Sequence, residues 1–317
     1  MDFQLSDDQR ALRTGMRELL AGRFGRDRMR AALDGGGGGG VGGELWRELG
    51  AAGLFALRLP ETAGGVGLGL PESVLVFDEV GRCLLPGPLI ATQLAAGAEK
   101  GAAEGAAVVA LAEAGRPVGH LAAADALLVL DGDSARVLSG GALRRLAGEA
   151  EPVRSLDPGT PLWRVGDLSA YEGEPLPDGA RLRREGALLA AAEQLGSAAR
   201  SLEAAVQHAG QREQFGAPIG SFQAVKHLCA GMLVRAETAR TAVYAAAVTA
   251  DPVEIAGAKL LADEAAVGNA RDCLQVHGGM GFTWEADVHL HLKRAWLRAG
   301  QWLTAADAEE ALAADLG

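Results

Sequence analysis

Aromatic side chains make up only 4% of this 317-residue chain, and it has no long apolar run free of charge. No window approaches the ~18 uninterrupted apolar residues that a membrane-crossing helix needs, so no such helix is expected. The start, Met1-Asp-Phe-Gln-Leu-Ser-Asp-Asp-Gln-Arg10, is acidic and amphipathic. It lacks the basic region and apolar stretch of a secretory signal. A basic surplus is missing too: the formal net charge is −11, which argues against non-specific nucleic-acid binding, because neutralising phosphates requires clustered Lys and Arg. Cysteine is scarce, with Cys83, Cys229 and Cys273 far apart. That spacing fits neither a disulfide framework nor a metal site, and buried reduced thiols in a cytoplasmic protein are the expectation.

Apolar residues account for 49% of the chain, enough at this length for two or three structural units. Long stretches of Ala, Leu, Glu and Arg, with few β-branched and aromatic residues, favour helix over sheet. Ser6 is placed to cap a first helix with a stripe of Leu12, Met16, Leu19 and Leu20. The glycines from Gly35 to Gly43 lack the residues of a phosphate loop and read as a linker. Leu45, Trp46, Leu49, Leu54 and Phe55 recur at helical spacing, and a further helix is predicted from Pro71 to Arg82.

From Ala106 the texture changes. The short apolar runs 107–111, 126–130, 135–138 and 162–165, separated by Gly, Asp and Pro, read as strands with a turn at 131–134. After Pro177-Asp-Gly179 the pattern is helical again. A long helix leads to Arg212, with Leu188, Leu189, Leu195, Ala199, Leu202 and Val206 on one face. Ser221 is expected to cap the next, with Val225, Leu228, Met232 and Leu233 facing inward. A third runs from Val253 to the glycines at 278 and 279.

Two segments carry chemistry: Arg212-Glu-Gln-Phe-Gly-Ala-Pro-Ile-Gly-Ser-Phe-Gln-Ala-Val-Lys-His227 and Gln275-Val-His-Gly-Gly-Met-Gly-Phe-Thr-Trp-Glu285. A guanidinium at position 212 can hold a diphosphate through two parallel hydrogen bonds. The helix that follows presents N–H groups to the same anion, and Gln223 lies in its first turn. Three glycines beside Gln275 permit left-handed backbone and close approach. Taken without context, Arg212 and Gln223 are ordinary surface residues, and His277 reads as a packing or hydrogen-bonding side chain. Trp284 and Trp296 are expected to fill core or interface space. His289 and His291, two apart on a helix, fall on different faces and do not suggest a metal.

In the patterns Arg-x-x-Phe-Gly, Pro-Ile-Gly-x-Phe-Gln and Gln-x-x-Gly-Gly-x-Gly-Phe-Thr, taken in that order, the chain resembles the acyl-CoA dehydrogenase family. Leu59-Pro60-Glu61, Gly64-Gly65 and Glu79-Val-Gly-Arg82 extend the likeness over nearly the whole chain, most weakly across 105–180. The resemblance implies a mainly α fold with a small middle β-barrel: an N-terminal helical domain (1–105), a shortened middle β-domain (106–180) and a C-terminal four-helix domain (181–317). It also implies FAD as cofactor, contacted by Arg212, Phe215, Gln223, Gln275, Gly278 and Gly279.

Three departures from the family pattern bear on catalysis. The middle-domain flavin motif is represented only by Ala112-Glu-Ala-Gly-Arg-Pro-Val-Gly119, without its hydroxyls. Arg298-Ala-Gly-Gln-Trp302 stands where a catalytic Tyr-Glu-Gly-Thr segment is usual. An alternative base position, counted back from Arg212, falls on Gly186, with Glu185 as its only carboxylate neighbour in sequence. Abstraction of an α-proton needs a positioned base. The chain is therefore similar to the shorter subunit of heteromeric, steroid side-chain type acyl-CoA dehydrogenases. There a homologous partner bears the glutamate, and a heterotetramer that processes acyl-CoA is implied. A self-sufficient homo-oligomer using Glu185 on acyl-CoA or acyl-carrier substrates, a flavin-free structural subunit and a flavin monooxygenase are the other readings.

Overall fold

The computed structural model describes residues 4–34 and 43–316, so most of the glycine linker lies outside the described residues. Two compact units divide the chain, one built from residues 4–21, 74–84 and 187–316, the other from 22–34, 43–73 and 85–186. The elements are largely helical, as composition demands, with small sheets in the middle of the sequence.

In chain order the first helices are α1 (Asp7–Arg23), α2 (Arg26–Asp34), α3 (Glu44–Ala51), α4 (Leu70–Cys83) and α5 (Leu89–Leu94). Ser6 caps α1 as expected: its Oγ accepts from the Gln9 N–H while Gln9 Oε1 accepts from the Ser6 N–H. The strands β1 (Val109–Glu113), β2 (Val118–Gly119), β3 (Ala126–Asp131) and β4 (Ser134–Ser139) follow. Next come α6 (Gly140–Glu149), β5 (Glu151–Val153), β6 (Leu162–Arg164) and β7 (Glu174–Leu176). The C-terminal part contains α7 (Gly179–Gln211), the short strands β8 (Glu213–Gln214) and β9 (Ala217–Pro218), α8 (Gln223–Thr249), α9 (Pro252–His277), α10 (Val288–Ala299) and α11 (Ala305–Asp315).

Within the β-containing unit, β1 runs parallel to β3, which pairs antiparallel with β4, and β4 with β7. A second, three-stranded sheet has the order β2–β6–β5. Leu127, Val129, Leu138, Leu143, Leu146, Leu168 and Tyr171 form the apolar cluster of this region. The turn at 131–134 closes the β3–β4 hairpin, with Gly132 supplying a φ of 55°. In the same unit the Trp46 ring packs, tilted by 35°, with its centroid 4.9 Å from that of Phe55. Thr92 uses its hydroxyl both to donate to Val109 O and to accept from Val109 N–H, joining α5 to β1.

The helical unit buries the Ala-rich faces of α7, α8 and α9, and α10 and α11 pack on α9. A polar network crosses this interior. Lys259 is fully buried, and its ammonium donates to Asp263; Asp263 accepts in turn from the Gln194 amide, which also donates to Ala295 O. Glu193 pairs with Arg298 at 2.8 Å. Two expected core positions turn outward instead: Leu233 and Val206 are about half exposed. Met232, one residue before Leu233, takes the core position, and one residue rotates a helical side chain by ~100°.

Candidate functional site

Three helix ends meet at one end of the helical unit. Ala205 and Ala209 from α7, Met232 from α8, and Cys273 and Val276 from α9 form a single apolar cluster, with Ile219, Val225 and Leu228 packed against it. Arg212 follows the last residue of α7, and the chain reverses through the β8–β9 hairpin. Phe215 (φ 55°) and Gly216 (φ 79°) form the left-handed tip that a two-residue hairpin turn requires. Ile219 closes the reversal by donating its N–H to Arg212 O at 2.8 Å and burying its side chain in the cluster.

A single tight turn, Ile219–Ser221, leads into α8. Ser221 does not cap that helix, contrary to expectation. Phe222 is the N-cap and offers no side-chain hydrogen bond, because the tight turn occupies Ser221. The leading N–H groups of α8 are thus left without a side-chain acceptor.

Arg212, Gln223 and Gln275 accordingly stand on helix ends that share one cluster, and all three are exposed. Among the described residues Arg212 makes no ion pair, and neither glutamine side chain has a hydrogen-bond partner. The three glycines after α9 have different reasons. Gly278 adopts φ 62°, ψ −146°, which a side chain disfavours. A Cβ on Gly281 would lie 3.1 Å from both His277 Cβ and Leu274 O, so packing demands it. Gly279 meets nothing within 4 Å and faces open space. A guanidinium, two amides, an uncapped helix start and bare glycine backbone form a donor set suited to a diphosphate.

Several large apolar side chains in and beyond these two motifs are exposed. Phe215 is 94% exposed and makes only an edge contact with Phe222 at 6.2 Å. Met280, Phe282 and Trp284 are also exposed. Trp296 is partly exposed, with Arg271 over its ring.

A histidine pair joining α7 and α9 was not picked out by sequence reasoning. His208 on α7 stacks on His277 of α9 with ring centroids 4.1 Å apart. His277 Nδ1 is 2.8 Å from Cys273 O and must donate to it, since a carbonyl only accepts. Burial, then His277 and Arg212, push the His208 pKa below its ordinary value. One signal was available: His208 precedes Arg212 by four residues, which places both on one helical face.

Glu185 lies in the other unit, on the first turns of α7. Both its oxygens accept from Arg58, Nη1 to Oε2 and Nη2 to Oε1, each at 2.7 Å. Arg181 approaches to 3.8 Å. Gly186, the position counted for a base, is buried and brings no side chain. The segment 112–119 runs from β1 through a turn into β2. Its Glu113 is held by Arg183 at 2.8 Å and Arg116 at 3.8 Å. Arg298 pairs with Glu193 and Trp302 is buried, so these two side chains of the segment 298–302 are spent in the interior, while Gly300 between them is exposed. His289 and His291 are both buried, His291 with its Nδ1 2.8 Å from Ser197 Oγ. Among the described residues no group of His, Cys, Asp or Glu could hold a metal ion, and no helix is long and apolar enough to cross a membrane.

Comparison with known proteins identifies the family and the fold. Residues 6–105 match the family described as Acyl-CoA dehydrogenase, N-terminal domain, and residues 183–300 match Acyl-CoA dehydrogenase, C-terminal domain. The chain is 38% identical over 296 residues to the acyl-CoA dehydrogenase IpdE2 of Mycobacterium tuberculosis, covering 91% of each protein. Its fold is similar to that of the ChsE4–ChsE5 complex from Mycobacterium tuberculosis, with a TM-score of 0.80, 23% identity, and 100% and 99% of the two chains covered. It is also similar to a variant of the Tcur3481–Tcur3483 steroid ACAD, with a TM-score of 0.81, 23% identity and 98% of each chain covered. On its sequence and on its fold, the chain belongs to the acyl-CoA dehydrogenase family.

Proposed function

We propose that this chain is one subunit of a cytoplasmic hetero-oligomeric acyl-CoA dehydrogenase, completing the FAD site while a homologous partner supplies the catalytic base. One contrast carries the reading. The anion-binding donors are gathered and uncommitted, whereas the carboxylate nearest the counted base position is engaged on both oxygens by Arg58. A base must offer a lone pair to the proton it removes, and Glu185 offers it to a guanidinium.

The residues at the Arg212 end fit the diphosphate of FAD. In this reading Arg212 holds the diphosphate through its planar fork, Gln223 and Gln275 orient it with their amides, and Gly278 and Gly279 let it approach the backbone. Phe215 covers the ligand or seats against the partner. FAD, when bound, accepts the β-hydrogen of the acyl thioester as hydride. The middle segment 112–119 does not match this role: its carboxylate is spent on Arg183 and Arg116, and it has no hydroxyl to offer. The exposed side chains of Phe215, Phe222, Met280, Phe282 and Trp284 suit coverage by the partner subunit.

IpdE2 is named as an acyl-CoA dehydrogenase, one structural relative as a steroid ACAD and another as a two-protein complex. These names support a thioester of a steroid-derived acyl chain as substrate class. The test is co-expression with the homologous subunit: FAD should copurify with the complex, and acyl-CoA oxidation should require both chains. Stoichiometric FAD and unaided turnover by the single chain would refute the reading in favour of a self-sufficient enzyme. A complex without flavin absorbance would identify a structural subunit.

A further inference from the structure

We propose that His208 and His277 form a proton-sharing pair coupled to the anion site at Arg212, so that a diphosphate binds there together with one proton. The inference rests on the reading of the Arg212 end as a diphosphate site and adds a linkage to it. The pair belongs to that end on both sides: the Arg212 N–H bonds to His208 O at 2.8 Å, and His277 directly precedes Gly278 and Gly279.

Protonation has one open position on His277. Its Nδ1–H is committed to Cys273 O, so Nε2 takes the proton. Two imidazolium rings stacked at 4.1 Å would repel in a partly buried place, so the pair accepts one proton and shares its cost. Arg212, just past the end of α7, opposes that proton. On α9 the Cys273 thiol lies 3.6 Å from His277 Nδ1, and burial pushes its pKa up to about 12; on α8 burial raises the Cys229 thiol. Both thiols are therefore uncharged near neutrality. Arg200, farther back on α7, adds positive potential at Cys273, and Asp272 is paired with Arg235. Among the described residues neither imidazole has a carboxylate partner. The positive charge of the pair thus has no internal counter-ion, and an anion drawn to Arg212 supplies one. By reciprocity, whatever the anion does for the proton, the proton does for the anion.

The test uses the full chain labelled with 13C-histidine and 15N-arginine, titrated with acid in the absence and presence of millimolar sodium pyrophosphate. The expected result is an upward move of the His208 midpoint by roughly one pH unit. This equals a roughly tenfold gain in pyrophosphate affinity on passing below the midpoint. In His208→Phe, which keeps a stacked ring, that pH dependence should be lost; His277→Phe is the second variant should the first not fold. Perturbation of the Arg212 resonance with an unmoved His208 midpoint overturns the coupling and leaves the diphosphate reading standing. Pyrophosphate that perturbs neither Arg212 nor the histidines overturns both.

Discussion

Gly81 on α4 and Gly196 on α7 face each other's helices across a crossing with no room for a side chain. A methyl group on Gly81 would fall 1.9 Å from Glu193 O, and one on Gly196 would fall 1.9 Å from Asp78 O. The obstructing atoms are backbone, so no rotamer change relieves the clash. Gly81→Ala or Gly196→Ala should each cost about 3 kcal/mol or more of stability. Urea unfolding of the helical unit should show this as a lower midpoint, and an unchanged midpoint would mean the helices are not in contact there.

Replacing Arg212 should separate binding from folding. The side chain is exposed and has no ion pair among the described residues, so Arg212→Lys and Arg212→Ala should leave the melting temperature unchanged. FAD affinity of the assembled complex should fall about 10-fold for Lys, which keeps the charge but not the fork, and about 100-fold for Ala. Equal affinity in wild type and Arg212→Ala, measured by flavin retention on dilution, would remove Arg212 from the site.

Glu185→Gln tests a structural role against a chemical one. Losing a largely buried carboxylate that holds Arg58 with two hydrogen bonds should destabilise the chain by about 2–3 kcal/mol. Turnover by the complex, at a temperature where the variant is folded, should be unaltered. A drop of 100-fold or more in kcat would instead assign Glu185 the base.

Acid should weaken the helical unit through His291. Burial holds its pKa down at about 3, below the ordinary 6.5. A histidine depressed in this way contributes its full stability above the unfolded value and loses it as pH falls through the folded one. The loss therefore accrues between pH 6.5 and about 3 and reaches of the order of 5 kcal/mol. Asp78, Glu193 and Asp263, whose pKa values burial raises, work in the opposite direction as they protonate. The comparison is therefore between wild type and His291→Gln, in which the midpoint of urea unfolding should fall less steeply between pH 6.5 and 4. Parallel curves would show that His291 does not titrate with unfolding.

Periodicity and punctuation made the long elements legible. The segment from Pro71, the runs at 126–130 and 135–138, and the start of α7 after Pro177-Asp-Gly179 lie where their sequences place them. The short helix α6 went unread because it begins at Gly140-Gly141, a poor helical start that tertiary burial of Leu143 and Leu146 overrides. Arg212, Gln223 and Gln275 were visible as motif residues, but their shared end depends on the cluster of Ala209, Met232 and Cys273, which no local signal encodes. Arg58 as the partner of Glu185 was equally hidden: the two are 127 residues apart, and ion pairing leaves no periodic trace.

The buried Gln194–Asp263 hydrogen bond has a consequence for alignment. The inner faces of α7 and α9 are lined mainly by alanine, at 187, 190, 191, 198, 205 and 209 on one and at 256, 258, 262, 265, 266 and 270 on the other. Such seams are degenerate: a slip by one turn sets alanine against alanine and changes little buried area. The hydrogen bond from the Gln194 amide on α7 to Asp263 on α9 removes that degeneracy. A one-turn slip would carry Asp263 away from the Gln194 amide and strand an acceptor in the interior. Sliding is therefore penalised in steps of a whole turn, and the bundle has a single register. Arg212, just past the end of α7, and Gln275, near the end of α9, owe their common level to a glutamine and an aspartate far down those helices.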